Sequence, residues 1–458
     1  MFCGKNSYFC NLKSKMMKPV VEKKNIYSPW NVFNFVFFSV FGLLLFFVPV
    51  AINGSKTILI DHLLNFINIL LPWFGPVFTL AAGCIGGIIQ WKQKANREGV
   101  LNVTMSVLRT AGIPVCVIAF FNIGPDWLMA PNMLPFLWVK IAIAVTLIVP
   151  IGSIFLTLII NYGCLEFTGV ILRPIMPHLF KTPGKSAIDA IASFIASFSL
   201  AIYLTNKLYN EGKYTRREAF IMISGFSSVS ATFMIIVAKT ANLIEIWNFY
   251  FWSTLVICFA TTAIVVRIWP IKVIPDDYID GKGKPEVEIK GKSIWKAAID
   301  EGLTAAYQSG PVYKRIWENL KGSMKMVFML TPSIASVGLL SFILINMTNV
   351  FDILGVILLP FTYLISLIGV AEPLMLAKAA TAVLAEMFVP NTYVAGLTEA
   401  SRYVIAVTSV ASVLFFTGSI PCYLASDVKI PFWHVLVVWY QRTVVCLILS
   451  GIVAAIYF

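Results

Sequence analysis

The sequence predicts an all-α, polytopic helical membrane protein built on two inverted repeats with broken or re-entrant helices. Three observations carry that reading. Of the 458 residues 59% are apolar and only 12% charged, with a mean hydropathy of +0.83. Charge-poor runs, each about as long as the ~20 residues that cross a bilayer, recur along the chain. A short apolar motif also appears once in each half. Because soluble domains carry about 25% charged residues, the composition excludes a soluble enzyme, a disordered chain and a disulfide scaffold.

The chain opens with a basic arm, 1–29, in which Lys5, Lys13, Lys15, Lys18, Lys23 and Lys24 face only Glu22. The run Val32 to Ile52 that follows is charge-free and has no convincing small-residue cleavage site after it, so a retained helix is expected rather than a cleaved signal. Strong spans are expected at 32–52, 63–90, 136–163, 219–238, 246–266, 326–346, 402–424 and 431–457, with a weaker one at 100–123 that contains Arg109. Two regions, 167–206 and 353–389, each hold a pair of shorter apolar pieces. Between Arg267 and Lys325 lies a hydrophilic stretch of mixed charge. Its second half, from Ser293 to about Met326, has helical spacing with Trp295, Tyr307, Tyr313 and Trp317, and is expected to lie on the membrane surface. The expected divisions are the arm 1–29, N-terminal helices 30–163, a first repeat 164–269, a cytoplasmic loop 270–325 and a second repeat 326–458.

Orientation follows from the cations, since short cytoplasmic loops are enriched in Lys and Arg. The arm, Lys92 to Arg97, Lys207 to Arg217 and the long loop should share the cytoplasmic side. The nine spans permit this only if 167–206 returns to the side it left, either as two crossings or as a re-entrant pair. Pro174, Pro177, Pro183 and Gly184 interrupt that region, which favours re-entry, because freed backbone groups are tolerated at membrane depth only inside protein or facing water. Parity then puts 353–389 and the C-terminal Phe458 outside.

An internal repeat agrees with this. Gly169-Val-Ile-Leu-Arg-Pro174 matches Gly355-Val-Ile-Leu-Leu-Pro360, and Tyr214-Thr-Arg-Arg-Glu-Ala-Phe220 loosely matches Leu397-Thr-Glu-Ala-Ser-Arg-Tyr403. A small, hydroxyl-rich helix follows each, Ile223 to Thr232 and Ala406 to Ser412. Two copies of opposite orientation form the layout of secondary transporters, whose sites lie at the midplane between broken helices.

Polar groups within the hydrocarbon are costly, so they are the candidate solute-binding residues. Asp189, Ser193 and Ser197 share a helix face at i, i+4 and i+8. Ser227, Ser228, Ser230 and Thr232 crowd the next span, which ends near Lys239. In the second copy Glu372 opens a helix expected to carry Lys378 and Glu386 two turns apart, where they could pair with each other or with Arg402. Ser186 with Asp189 also fits a capping box, and Glu372 before Pro373 fits a helix N-terminus. Half-helix N-termini near Ser186 and Glu372 would turn N–H groups toward an anionic or carbonyl part of a ligand. A carboxylate alternating between water and a drier site would bind Na+ or H+ as coupling ion.

Other chemistries find little footing. The eight cysteines are scattered without a C-x-x-C pair, and His62, His178 and His434 are too far apart for a local metal motif, so no metal site is expected. Gly225-Phe226-Ser227 together with His434 superficially suggests an intramembrane serine hydrolase, but nothing local ties that histidine to that serine. No Walker lysine motif is present. The expectation is therefore not an enzyme.

Leu204-Thr-Asn-Lys-Leu-Tyr-Asn-Glu-Gly-Lys-Tyr-Thr-Arg-Arg-Glu-Ala219, followed by Gly225-Phe-Ser-Ser-Val-Ser-Ala-Thr-Phe-Met234, resembles the bacterial YjiH-like membrane proteins. These carry nucleoside-recognition "Gate" domains, related to domains of spore maturation proteins, ferrous-iron transporters and concentrative nucleoside transporters. The resemblance implies a multi-pass protein of the bacterial inner membrane with paired Gate repeats, moving a small polar solute, provisionally a nucleoside. Amino acids or small peptides suit the acidic and basic candidates equally. The competing class is a non-transporting component that acts through a partner membrane subunit; a homo-oligomer is the other protein assembly it allows. The net charge of +13 sits mainly in the basic arm and loops, which points to anionic lipids rather than nucleic acid.

Overall fold

The computed structural model describes residues 26–47, 49–52, 55–92, 100–131, 133–195, 198–229, 231–281, 283, 293–416, 418–424 and 426–458. The basic arm up to residue 25 lies outside the described residues, as do Lys94 and Arg97. Among the described residues, five helices are long and apolar enough to cross a membrane: Leu134–Ile159, Arg216–Thr240, Ile244–Val265, Val312–Leu344 and Phe432–Tyr457.

The N-terminal part is a scaffold. Helix α1 (Pro29–Phe47) is followed by a two-stranded hairpin, β1 (Pro49–Ile52) and β2 (Ser55–Ile58). The end of the expected 32–52 span is therefore strand. The expected 63–90 span is not one rod. It bends by 99° between His62–Leu70 and Phe74–Ile89, where Pro72 removes a helix donor. Helices α2 (Leu59–Leu70), α3 (Phe74–Ile89) and α4 (Val100–Phe121) precede the long helix that contains α5 (Ile143–Asn161). Glycines let α3 and α4 approach a later helix closely. A Cβ on Gly86 would fall 1.7 Å from the Phe328 carbonyl oxygen, and one on Gly112 would fall 2.2 Å from that of Pro332.

A series of elements then occurs twice. The first copy comprises α6 (Cys164–Leu172), the paired helices α7 (Ser186–Ile195) and α8 (Phe198–Asn210), α9 (Arg216–Ile221, wound on to Phe226), α10 (Ala231–Thr240) and α11 (Trp247–Val265). Helix α12 (Ile294–Ser309) lies against α6 and α1. Next comes α13 (Val312–Ser333), continuous through Gly338 with α14 (Leu339–Met347). The later part of the expected surface segment, from Val312 on, and the 326–346 span are thus one helix. Its amphipathic first half becomes apolar without a break, since Gly322 alone does not stop a helix.

The second copy comprises α15 (Val350–Gly355), α16 (Leu359–Ser366), α17 (Pro373–Ala382), α18 (Val389–Tyr393), α19 (Glu399–Ala411), α20 (Ser419–Leu424) and α21 (Phe432–Tyr457). The expected 219–238 and 402–424 spans are each broken, at Ser227–Val229 and at Ser412–Phe416.

Contacts between the copies fix their relative direction. On one face, called the basic face because the loop cations gather there, Asn206 and Asn210 bond Asp427 at 3.0 and 2.7 Å, and Trp269 meets Trp433. On the opposite face Arg402 donates to the carbonyls of Ala241 and Asn242, and Phe249 stacks on Tyr457 at 3.6 Å. Hence α9 starts at the basic face and α19 at the other, and the two copies are inverted. The α7–α8 pair returns to the basic face it left, while α17 and the chain to Tyr393 return to the opposite face, where Ser401 bonds the Ala371 carbonyl at 3.0 Å. Both pairs are re-entrant hairpins.

Candidate functional site

The two broken helices meet at their breaks. Helix α9 with its continuation ends at Phe226, and the Ser228 N–H donates back to the Phe226 carbonyl at 2.7 Å, closing a three-residue turn over Ser227. Helix α19 ends in the same way. The Leu414 N–H donates to the Ser412 carbonyl at 2.7 Å, and Val413 between them is held at φ 67°. That is left-handed backbone at a buried β-branched residue, a conformation that persists only where its surroundings enforce it. Ser228 Oγ crosses between the copies to the Val410 carbonyl at 3.2 Å.

One side chain fills the junction. Arg442, in the middle of α21 and 1% exposed, donates through Nε to the Ser412 carbonyl at 3.2 Å and through Nη2 to that of Ala411 at 2.6 Å. Nη1 donates to Thr262 Oγ1 at 2.9 Å, and Nη2 also reaches the Gly225 carbonyl at 3.4 Å. No carboxylate lies within ion-pair distance of it among the described residues. Its charge is answered by backbone instead. Each helix C-terminus carries about −0.5 charge, so two meeting ends amount to about −1, which one guanidinium balances. Ten residues into a helix that starts at the basic face, Arg442 stands about 15 Å deep, near the middle of a ~30 Å hydrocarbon core.

Both hairpin tips reach this level. Phe198, at the start of α8, packs its ring on Phe415 at 5.3 Å. Leu384 accepts from the Phe416 N–H at 2.8 Å. Gly418 makes the aromatic contact feasible, since a Cβ there would stand 2.6 Å from the Phe198 ring. Glu386, at the second tip and 4% exposed, turns its carboxylate back onto the N–H groups of Phe388 and Val389 at 2.7 and 2.8 Å. Nearby, Asn391 donates to Ser409 Oγ at 3.2 Å. Asn391 Oδ1, Thr408 Oγ1 and Thr232 Oγ1 are buried without a hydrogen-bond partner among the described residues. They belong to elements packed on one another, α18, α19 and α10.

The candidates read from the sequence are therefore separated. Ser227 and Ser228 lie in the first break, where Ser227 Oγ bonds the Met222 carbonyl at 3.2 Å. Glu386 lies at the second tip. It is not on the helix opened by Glu372, because that helix ends at Ala382. Lys378 pairs with Asp352 at 2.8 Å, near the face from which α17 enters, rather than with Glu386, and Arg402 is taken up by two carbonyls. Asp189 accepts from the Tyr214 hydroxyl at 2.5 Å, and Ser186 donates to Thr182 Oγ1. Glu372 holds the N-terminal position of α17, yet its side chain caps nothing. Ser186 and Glu372 sit where the hairpins leave the membrane surface, so the helix N-termini they mark point away from the crossing. The side chain of Ser193 and the whole of Ser197 and Ser230 lie outside the described residues. Sequence reasoning missed Arg442, although a lone arginine inside the apolar run 431–457 is itself a signal.

A lateral cavity of about 450 Å³, lined by Phe249, Trp252, Ser253, Val256 and Val453, is almost wholly apolar and stands apart from the crossing. Its position on exposed apolar surface suits lipid chains.

Comparison with known proteins gives three findings. Residues 142–244 match the Gate family, described as nucleoside recognition. This stretch includes the first hairpin and the first broken helix, and the resemblance read from the sequence is shown there. An uncharacterized protein of Alkalihalophilus pseudofirmus is 25% identical over 97% of this chain and 99% of its own. Among solved structures, CNTnw in an inward-facing, substrate-bound state is 12% identical, with 93% of this chain and 98% of that chain covered at a TM-score of 0.41. An outward-facing state of CNTnw is 15% identical, with 93% and 95% covered and the same TM-score.

Proposed function

We propose that the protein is a secondary transporter of a small polar solute, in the first instance a nucleoside, which binds where the two broken helices and the two hairpin tips converge. The observation that carries this is the crossing itself. Two antiparallel half-helices end at mid-depth beside three buried polar atoms without a partner among the described residues, Thr232 Oγ1, Asn391 Oδ1 and Thr408 Oγ1. In an apolar interior such atoms cost free energy unless a ligand or water completes them. The hydroxyls and ring amides of a nucleoside are of the right kind to do so, and the Gate match over 142–244 supports that solute class.

Inverted repeats offer the means of movement, since each hairpin closes the site toward one face. For coupling, the carbonyls at the breaks are already engaged by Arg442, which leaves less of the backbone oxygen set a Na+ would use. Glu386 supplies a carboxylate at a moving tip, and we take H+ on that group as the coupling ion. The protein partner classes, a homo-oligomer or a second membrane subunit, are not required by this scheme.

The reading is tested by ligand-dependent thermal unfolding of the purified chain against nucleosides, amino acids and dipeptides. A selective binder raises the unfolding temperature by mass action, about 2.7 kcal/mol at a hundred times its Kd. A shift confined to nucleosides supports the reading. Shifts from amino acids or dipeptides alone would replace the solute class, and no shift from any member would contradict binding at the crossing.

A further inference from the structure

At the basic face, away from the crossing, a cavity of about 330 Å³ is lined by Lys181, Arg217, Arg267 and Lys272 over a floor of Ile221 and Val266. Four cations around one recess repel one another unless anions compensate them. Only one carboxylate does so among the described residues, that of Asp276 paired with Arg217. Arg267 spends its guanidinium on the neutral carbonyls of His178, Leu179 and Ala263. Neither Lys181 nor Lys272 has a carboxylate within ion-pair distance among the described residues. Arg217 also keeps its buried Nε without a hydrogen-bond partner there. The recess is thus built for an anion, with one arginine fixed by backbone and two lysines free to close.

The exposed residues that flank the cations in sequence say which anion. Ile264, Ile268, Trp269 and Val273, next to the cations in sequence, are exposed apolar groups. A tryptophan at a cationic, half-apolar border marks the membrane interface. Basic recesses between helices at such a level suit anionic lipid headgroups. We propose that this cavity binds the phosphodiester of an anionic phospholipid, its acyl chains lying on the exposed apolar surface these flanking residues belong to. Inorganic phosphate shares the headgroup chemistry but has no use for exposed apolar surface. Because Arg217 lies in the first turn of the first broken helix and Arg267 in the turn that follows α11, a bound lipid ties together two elements of the first repeat.

The test uses the full chain in nanodiscs of phosphatidylcholine with graded phosphatidylglycerol, reading retained lipid by native mass spectrometry and the unfolding temperature. The wild type is expected to retain phosphatidylglycerol selectively and to unfold at higher temperature with it. Lys181→Gln with Lys272→Gln should weaken retention about fivefold for each lysine removed. Both lysines are exposed, so unfolding in pure phosphatidylcholine should stay as in the wild type. Should the double variant fail to fold, Lys272→Gln alone must show the single fivefold loss. Equal retention by wild type and variant would overturn the proposal. So would inorganic phosphate in phosphatidylcholine reproducing the whole thermal shift, which would reassign the recess to free phosphate.

Discussion

At the scale of single residues, Arg442 decides how the two repeats hold together. Its guanidinium has a fixed fork of donors that reaches both helix ends at once, a geometry that a lysine ammonium does not reproduce. Removing it strands the carbonyls of Ala411 and Ser412, at about 1–3 kcal/mol each. Arg442→Met, and to a lesser degree Arg442→Lys, should therefore unfold at lower temperature than the wild type, and an unchanged unfolding temperature for Arg442→Met would remove the residue from this role. Val413 offers a second test. Its φ of 67° is costly for any side chain with a Cβ and free for glycine. Val413→Gly should exceed Val413→Ala in stability by about 1 kcal/mol in thermal or denaturant unfolding, the reverse of the usual order. Neither feature was read from the sequence, though only one of them was there to be read. A lone arginine in an apolar run was visible, whereas a strained valine has no signature, because the strain is imposed by the Ser412–Leu414 turn and the packing around it.

At the scale of elements, the breaks explain what sequence pattern could and could not show. The prolines of 174–183 mark the entrance to the first hairpin, and Pro72 stands at the 99° bend between α2 and α3, a signal that the expected single span 63–90 passed over. Such breaks are legible. Those at Ser227–Val229 and Ser412–Phe416 contain no proline, so hydropathy alone reads each span as one helix. What the sequence did show there was the small, hydroxyl-rich composition that lets broken backbone be satisfied by close neighbours. The hairpins are anchored at the surface, and there pH enters. Asp427 is held below the ordinary aspartate range by hydrogen bonds from Asn210 and then Asn206. A carboxylate depressed in this way adds stability above its unfolded value and loses it as pH falls through the folded one. The tie between α8 and Asp427 should therefore open only at pH below the usual aspartate range, seen as faster hydrogen exchange at the Asp427 amide. Solvent exposure keeps its contribution small. In Asp427→Asn that pH dependence should vanish; an unaltered profile would show that another group titrates.

At the scale of the whole molecule, charge distribution proved the most informative property of the sequence. Counting cations placed 167–206 on the face it left, and the hairpin of α7 and α8 is the structural form of that return. The same parity made the second copy run the other way, as α19 does. The meeting of both breaks on one arginine was not legible, because it depends on contacts between residues as far apart as Gly225 and Arg442. Nor could sequence separate Lys378 from Glu386, which lie eight positions apart but belong to a surface ion pair and a hairpin tip. In the transport scheme, Glu386 is the group whose charge matters, and glutamine can still accept the N–H groups of Phe388 and Val389. The measurement that bears most directly on the central claim is uptake of labelled nucleosides into liposomes that contain only this chain, under an imposed pH gradient. The account predicts saturable, gradient-dependent uptake by the wild type and at least a tenfold loss in Glu386→Gln at unchanged unfolding temperature. Absence of uptake for every nucleoside by folded, inserted wild-type protein, or wild-type rates in Glu386→Gln, would contradict it.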